Sequence, residues 1–342
     1  MRMAKLLVWR IGVALGTAWL VASAVFLLSR AVAASSPQLF AAEQLTPTAS
    51  SAARVATEQQ YRLRLGLHQP LFYFGLLPWQ WHGPRNQYHR WLTHLSRGHL
   101  GTSYRDGTAV EEHLGAALRV TLPLTGTALV LTALLALGAA MAAARKAPVR
   151  RLLLPLVYLF DSLPLFVVGL LLLVLLASPD FWPLFPSYGL ESGAAPWLGN
   201  PFLDRAYHLV LPVLSLVVVG FPAVFLPTAA ALRQQWQQPY VTTALAKGTP
   251  APRVWRRHVL PNALPVFVSR VTELLPEVVA GAVVVELVFA LPGMGRLLVE
   301  AAASRDLPLL IGGVLLVAVA RVLAWVLADA AQMVIDPRTR TS

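Results

Sequence analysis

Long apolar runs constrain this chain more than any other feature of its sequence. A helix needs about 20 apolar residues to cross the hydrocarbon core of a membrane. Hydrophobic residues make up 56% of the 342 residues, and charged residues make up only 13%. We therefore predict an all-α integral membrane protein with about six transmembrane helices. The apolar runs that predict these helices cover residues 8–28, 120–144, 152–177, 209–232, 271–291 and 307–333.

Charged residues beside the apolar runs predict how the chain is oriented. Short cytoplasmic loops carry an excess of lysine and arginine, and basic residues precede the first run and fill the loop after the second. We expect both termini in the cytoplasm, and the net charge of +12 to reflect topology rather than nucleic-acid binding. The predicted parts are a cytoplasmic amino terminus with the first helix (1–28), a large extracytoplasmic loop (29–119), a transmembrane core (120–335) that includes a cytoplasmic loop (233–270), and a cytoplasmic tail (336–342).

The segment after the first run is predicted to lie outside the membrane as one long polar loop. No cleavable signal peptide is expected, because the first run is about as long as a full span and no small-residue cleavage site clearly follows it. The sequence contains no cysteine, so disulfides and thiolate metal sites are excluded. In this loop, Trp79, Trp81, Tyr88 and Trp91 predict a part near the membrane interface, where amphipathic rings favour the headgroup layer.

Residues 240–265 carry no acidic residue although they contain several basic ones. Apolar residues at helical spacing predict a short helix over 240–247, and Gly248 ends it as a C-cap glycine would. A second, basic helix is expected to begin near Arg253 and to run towards Pro261. The two helices together predict a compact cytoplasmic knob that can transmit force from a soluble partner to the spans on either side.

Three features of this knob have a spacing that resembles the cytoplasmic loop of permease subunits in ATP-binding-cassette importers. They are the triplet Thr242-Thr243-Ala244, Gly248 four positions later, and Leu260-Pro261 twelve positions beyond the glycine. The version here is most similar to the dipeptide, oligopeptide and nickel group, although the Pro-Gly-Asp-Pro that follows the first span in that family is absent. Other segments that resemble the family are 98–103, Ser162-Leu163-Pro164, 281–289, Pro292-Gly293-Met294-Gly295 and Asp336-Pro337-Arg338.

The resemblance implies a type I importer permease fold in a bacterial inner membrane, with the helices from the second onward forming the translocation core. It implies that one or two cytoplasmic ATPase subunits grip the knobs of this chain and of a second permease, usually a different chain. An extracytoplasmic solute-binding protein would deliver a peptide or peptide-like substrate. For each arginine of the knob, a plain topology charge or a contact with lipid phosphate stays an open alternative. The ATPase-coupling residues implied by the resemblance are Tyr240, Ala244, Lys247, Gly248, Arg253, Arg256, Arg257, His258, Leu260, Pro261 and Asn262.

The sequence contains no recognisable motif for nucleotide binding, metal binding or catalysis. No Gly-x-x-x-x-Gly-Lys-Ser/Thr phosphate loop is present, and the eight histidines are scattered. No Ser-His-Asp arrangement and no metal-ligand cluster can be argued from the spacing. We therefore expect a transport subunit that is not an enzyme and holds no cofactor, with ATP bound by the partner subunits.

Acidic residues inside the predicted spans are candidates for function, because a charge at the bilayer centre costs at least about 2.5–3.5 kcal/mol. Glu273 and Glu277 are four residues apart and share one helix face. One interpretation is that they attract cationic substrates or form an inner gate with Arg270 or Arg233. The other is that they snorkel, or form a structural pair at the membrane edge.

Asp161 and Glu286 are the other two acids of the predicted spans. Asp161 lies one turn before Pro164, whose ring frees a carbonyl in the preceding turn, so Asp161 either faces the pathway or bonds to Ser162 or to the exposed backbone. Glu286 matches a glutamate of the family motif and is expected at a gate or a packed interface near the outer mouth. The full set of possible pathway or gate residues is Asp161, Pro164, Glu273, Glu277, Glu286, Pro292, Gly293 and Gly295.

These observations favour half of a permease pair that imports peptides or a related solute. The same scaffold serves nickel and peptide-like antibiotics, which stay as alternatives. An ion-coupled secondary transporter would need no ATPase, but such proteins often show internal repeats, and no convincing repeat is present here. A membrane scaffold or sensor without transport activity would not require the spacing of the knob.

Overall fold

The described part of the chain is almost entirely helical. The computed structural model describes residues 2–35, 59, 69–76, 79–192 and 199–335. The predicted cytoplasmic tail lies outside these residues.

The elements follow the chain in a simple order. Two short antiparallel strands, β1 (Phe74–Leu76) and β2 (Trp79–Trp81), pair with each other. The helices are α1 (Arg2–Ser35), α2 (Gln87–Ser96), α3 (Val110–Arg145), α4 (Ala147–Asp161), α5 (Leu165–Ala177), α6 (Pro201–His208), α7 (Val210–Trp236), α8 (Pro239–Ala246), α9 (Ala251–Val254), a π-helical turn (Trp255–Val259), α10 (Leu260–Val288), α11 (Met294–Ala303) and α12 (Leu307–Ile335).

Among the described residues, three helices are long and apolar enough to cross a membrane. They are Val110–Arg145, Pro201–Trp236 and Leu307–Ala324, and the bent pair formed by α4 and α5 would make a fourth crossing. The prediction of an all-helical membrane protein is thus confirmed, whereas the number of six crossings stays a prediction.

The two remaining predicted spans fall on α1 and α10. The apolar part of α1 is a shorter stretch, Leu15–Leu28. Along α10, Arg270, Glu273, Glu277 and Glu286 interrupt the apolar sequence. A helix of this composition is stable in a membrane only where its charges are paired, reach the headgroups or face other protein.

The third predicted span, residues 152–177, is bent rather than straight. Two helices, α4 and α5, meet there at an angle of 109°. The break falls at Ser162–Pro164, and Pro164 has extended backbone angles (φ −60°, ψ 144°). A proline lacks the N–H of the helical ladder and disfavours helical geometry in the residue before it, so the chain turns here instead of continuing.

The described residues belong to two compact units. The first unit comprises Met1–Ile11, Gly115–Val299 and Ala320–Ser342, and the second comprises Gly12–Leu114 and Glu300–Val319.

In the first unit, α5, α7 and α10 pack against one another around a large apolar core. The packing is close at Gly281 of α10, where an added Cβ would lie 2.9 Å from a methyl of Leu165 and 3.2 Å from one of Leu216. A larger residue at that position would therefore require these leucine side chains to move.

In the second unit, α1 carries the aromatic core. Phe26 is buried and stacks on Trp91, with the ring centroids 4.8 Å apart. The Ser23 hydroxyl lies 2.8 Å from the Tyr88 hydroxyl, and Leu307 and Ile311 of α12 complete the cluster. Tyr88, predicted to lie near the membrane interface, is thus buried in protein here.

Candidate partner-binding loop and carboxylate turn

The first half of the predicted knob forms as expected. Helix α8 ends at Ala246, and Gly248 has a left-handed backbone (φ +78°). The Gly248 N–H donates to the Leu245 carbonyl at 2.9 Å, and the Thr249 N–H donates to the Ala244 carbonyl at 3.1 Å. This pair of bonds is a Schellman motif, which satisfies the last carbonyls of the helix and reverses the chain.

The second half of the knob begins as predicted but does not stop at Pro261. Helix α9 starts at Ala251, and a π-helical turn, Trp255–Val259, joins it to α10 without a break. The wider turn precedes Pro261, whose ring and missing N–H would otherwise disrupt a regular α-helical turn. The predicted separate basic helix is therefore the first part of a continuous helix that runs into the fifth predicted span.

We call residues 237–261 the basic loop, and an aromatic stack holds it in place. The Trp255 and Trp236 rings stack with centroids 5.2 Å apart at 20°. The guanidinium carbon of Arg145, at the end of α3, lies 4.8 Å from the centre of the Trp255 ring. The sequence analysis interpreted Arg145 only as a topology charge and missed this contact. The available signal was the pair of tryptophans, Trp236 just before the loop and Trp255 within it.

Several residues predicted to couple to the ATPase also make contacts within the chain. The Tyr240 hydroxyl donates to Gln235 Oε1 at 2.8 Å. Asn262 Nδ2 donates to the His258 carbonyl at 2.8 Å and lies 3.4 Å from the Tyr240 hydroxyl. Leu260 is half-buried against the apolar core. These contacts help to fix the shape of the loop, and the role of the residues in coupling stays a prediction.

The basic loop presents four free cationic side chains to its surroundings. Lys247, Arg253, Arg256 and Arg257 are all exposed, and none forms an ion pair with another residue in the described part of the chain. No acidic residue occurs between positions 234 and 269. An exposed cluster of one sign attracts a surface of the opposite sign.

A buried carboxylate organises a second site. The side chain of Glu286, near the end of α10, is 0% exposed. Its Oε1 accepts from the Thr121 hydroxyl at 2.6 Å, and its Oε2 accepts from the backbone N–H groups of Gly295 at 2.6 Å and Arg296 at 3.1 Å. The Thr121 oxygen in turn accepts from the Met294 N–H at 2.8 Å. The carboxylate thus ties α3 and α10 to the first turn of α11, where free N–H groups favour an anion.

We call residues 286–296 the carboxylate turn, and it has no room for side chains at two glycines. A Cβ at Gly293 would lie 2.2 Å from the Glu286 carboxyl group, and a Cβ at Gly295 would lie 2.5 Å from the Val283 Cα. Pro292, just before Gly293, is exposed. The glycines predicted as gate residues therefore let the backbone approach the carboxylate closely enough to donate to it.

A short segment, residues 189–192, lies beside this turn and was not predicted from the sequence. We call it the strap. The Gly189 N–H donates to the Phe289 carbonyl at 3.0 Å. His208 Nδ1 lies 3.1 Å from the Gly189 carbonyl, and its Nε2 lies 3.0 Å from the Ser192 hydroxyl. Asp204 is buried and accepts from both the N–H and the hydroxyl of Ser192. Because Asp204 binds the serine rather than His208 Nδ1, the cluster lacks the geometry of a nucleophilic triad and instead fixes the strap.

The other predicted pathway acids are not gathered into one site. Glu273 pairs with Arg270 at 2.7 Å and accepts from Ser269 at 3.0 Å on the surface of α10. Asp161 and Glu277 are exposed, and neither makes an ion pair with a residue that the structure describes. The pairing with Arg270 that the sequence suggested is therefore present on the surface, whereas Asp161 does not bond to Ser162, whose hydroxyl donates to the Tyr158 carbonyl instead.

The described residues form a helical core with membrane-spanning helices and an exposed cationic loop, and comparison with known proteins places the chain among transport permeases. Residues 134–341 match the family of binding-protein-dependent transport system inner membrane components. The chain therefore belongs to this family, and the predicted resemblance is confirmed.

Relatives along most of the chain agree with the family assignment. A probable D,D-dipeptide transport system permease of Escherichia coli is 31% identical over 83% of this chain and 84% of its own length. An oligopeptide transport system permease of Bacillus subtilis is 29% identical over 83% of this chain and 85% of its own length. A putative peptide transport system permease of Brucella abortus is 29% identical over 99% of both chains.

Proposed function

We propose that this chain is one of two permease subunits that import peptides or peptide-like solutes across a bacterial inner membrane, driven by separate ATPase subunits. The substrate class is supported by the relatives, whose names specify oligopeptides, dipeptides or peptides. A solute-binding protein outside the membrane would deliver the substrate, as the family's description as a binding-protein-dependent system suggests. Both termini and the basic loop would lie in the cytoplasm.

The basic loop carries this proposal. Its exposed cations, Lys247, Arg253, Arg256 and Arg257, have no acidic neighbour in the described chain to neutralise them. They would bind acidic or carbonyl groups of an ATPase subunit, which would also bind and hydrolyse the ATP. Leu245, which is 39% exposed, would add an apolar contact at the end of α8.

The continuity of the loop with α10 supports a mechanical role. Force applied to the loop would pass through the π-helical turn into α10 without crossing a flexible hinge, because the Trp236–Trp255 stack and the Schellman motif at Gly248 fix the loop on both sides. Helix α10 ends at the carboxylate turn, some 28 residues from its first residue, which at 1.5 Å per residue is about 40 Å. Movement at the basic loop would therefore reach the opposite end of the same helix.

Purification of the tagged chain from its own host in mild detergent tests the proposal. Stoichiometric recovery of one or two ATPase chains and a second permease by mass spectrometry is the expected result. Recovery of the chain alone, in lipid discs as well as in detergent, would instead favour an ion-coupled transporter.

Charge reversal locates the ATPase contact. The double variant Arg256→Glu with Arg257→Glu is expected to lower ATPase recovery at least about tenfold, because a loss of 1.4 kcal/mol in binding corresponds to that factor. Recovery of the second permease should be unchanged. The matched control is Arg105→Glu, an exposed arginine outside the basic loop, which should leave ATPase recovery as it is.

A further inference from the structure

The β-hairpin of the second unit presents an aromatic surface. In the pairing of β1 and β2, Phe74 lies opposite Trp81, and Leu76 lies opposite Trp79. Alternate strand residues point to the same side, so Phe74, Trp79 and Trp81 share one face of the hairpin. Their rings form a group in which Phe74 stacks on Trp79 at 5.6 Å and lies 5.2 Å from Trp81.

This aromatic face is largely uncovered by the rest of the described chain. Phe74 is 40% exposed, Trp79 is 74% exposed and Trp81 is 68% exposed. A contiguous group of large exposed rings is unusual on a water-facing surface and marks a site of interaction with a membrane or another protein.

The position of the hairpin relative to α1 indicates whether it contacts a membrane or another protein. A series of ring contacts joins the two: Trp81 to Tyr73 at 6.1 Å, Tyr73 to Tyr88 at 6.1 Å, and Tyr88 to Phe26 at 5.9 Å. The hydrogen bond between Ser23 and Tyr88 fixes the same region of α1. The hairpin is therefore held at the level of Phe26 by packed side chains.

Phe26 lies at one end of the apolar part of α1. That part, Leu15–Leu28, presents exposed apolar side chains such as Leu20 and Leu28, and Arg30 follows within a few residues. At 1.5 Å per residue, Phe26 is only about 3 Å from Leu28 along the helix. The hairpin is thus attached at the boundary between hydrocarbon and headgroups, where tryptophan is most favoured.

The charge of the surrounding segment also favours contact with a membrane surface. Between positions 69 and 105 the chain contains no acidic residue. Arg85, Arg90 and Arg97 in this segment are exposed. Basic residues beside exposed aromatic rings are typical of surfaces that bind the headgroup layer of membranes with anionic lipids.

We propose that the aromatic face of this hairpin binds the membrane surface, with Phe74, Trp79 and Trp81 inserted into the headgroup layer and Arg85 and Arg97 on anionic headgroups. This contact anchors the loop that follows α1 to the bilayer. It does not depend on the identity of the transported solute or on the ATPase contact.

Spin labelling tests the proposal directly, because the chain contains no cysteine and accepts single labels without background. A nitroxide at Phe74→Cys reports the aromatic face, and one at Gln80→Cys, which alternates with Trp79 and Trp81 along β2, reports the other face. The protein is placed in lipid discs containing phosphatidylglycerol, and collision rates with oxygen and with a water-soluble nickel chelate are measured.

The ratio of oxygen to nickel collisions is expected to be several-fold higher at position 74 than at position 80. Equal, water-like ratios at both positions would overturn the proposal. Protection of position 74 from both reagents only after a solute-binding protein is added would also overturn it and would assign the face to that protein. A label at Trp81→Cys, which leaves Phe74 and Trp79 in place, repeats the test if Phe74→Cys folds poorly.

The arginines are tested in the same discs. Arg85→Gln with Arg97→Gln is expected to lower the collision ratio at position 74 in anionic discs and to leave it unchanged in discs of neutral lipid. An unchanged ratio in anionic discs would overturn the contact between these arginines and the headgroups.

Discussion

The basic loop and the carboxylate turn lie at opposite ends of α10 and differ in whether their charged side chains are exposed or buried. In the basic loop the charged side chains are exposed, and Asn262 bonds to the His258 carbonyl and lies 3.4 Å from the Tyr240 hydroxyl. In the carboxylate turn the charged side chain of Glu286 is buried and accepts three hydrogen bonds from its own chain. An exposed charge without a partner is available to another molecule, whereas a buried charge with all its partners fixes geometry.

The contrast predicts that substitutions in the basic loop abolish transport without unfolding the protein. The largest expected effect is that of Gly248→Trp, which should abolish uptake while leaving insertion in the membrane intact. An added Cβ there meets no atom within 4 Å, and the left-handed backbone is expected to cost about 1–2 kcal/mol. The new ring would stand where the ATPase is proposed to bind.

A matched control separates backbone strain from loss of the partner contact. Gly107 has nearly the same backbone angle (φ +75°), and an added Cβ there likewise meets no atom within 4 Å. Uptake by vesicles and thermal unfolding are measured for both variants. Normal uptake with Gly248→Trp, or equal loss of uptake with Gly107→Trp, would contradict the role of the basic loop.

At the carboxylate turn, substitutions are expected to lower the stability of the protein directly and to lower uptake only as a consequence. Glu286→Ala leaves the Thr121 hydroxyl and the Gly295 N–H without their acceptor, and a buried donor left unpaired costs about 1–3 kcal/mol. We expect a clear fall in the thermal unfolding midpoint in lipid discs, with uptake reduced in proportion to the loss of folded protein. Glu277→Ala, which truncates an exposed glutamate on the same helix, should change the midpoint little. Equal midpoints for the two variants would show that the carboxylate does not hold the turn.

The same comparison shows what the sequence could and could not predict. The helix before Gly248 and its cap were predictable because they depend on neighbours within a few residues. The sharpness of the bend at Pro164 and the continuity of the helix through Pro261 were not, because these two prolines gave opposite outcomes. A π-helical turn accommodates one of them, and nothing comparable precedes the other.

The partners of the buried acid were also beyond prediction from the sequence. Thr121 is 165 residues from Glu286 along the chain, and only the folded arrangement of α3 and α10 brings them together. The same holds for Arg145 and Trp255 in the basic loop. Local patterns therefore indicate candidate segments, while the tertiary contacts show which of their side chains are exposed and which hold the segment in place.

A smaller effect is expected where a cation supports the basic loop from within. Arg145→Gln removes the guanidinium from the face of Trp255, and such contacts contribute about 0.5–2 kcal/mol. We expect a modest fall in the thermal unfolding midpoint and a partial loss of ATPase recovery, because the Trp236–Trp255 stack remains. Arg151→Gln, a neighbouring exposed arginine, is the control. A loss of recovery as large as that of the Arg256 and Arg257 double variant would place Arg145 in the ATPase contact itself.

The smallest effect is expected at the ion pair of Arg270 and Glu273, and it decides between the two interpretations of these acids. Both side chains are about half exposed, and exposed pairs contribute at most about 1 kcal/mol. If the pair is only a surface contact, Arg270→Gln should leave both the unfolding midpoint and uptake nearly unchanged. If it forms an inner gate, uptake should change while the midpoint does not, and Glu273→Gln should produce the same change. Because α10 joins the basic loop to the carboxylate turn, an effect on uptake alone would place a third functional position between its two ends.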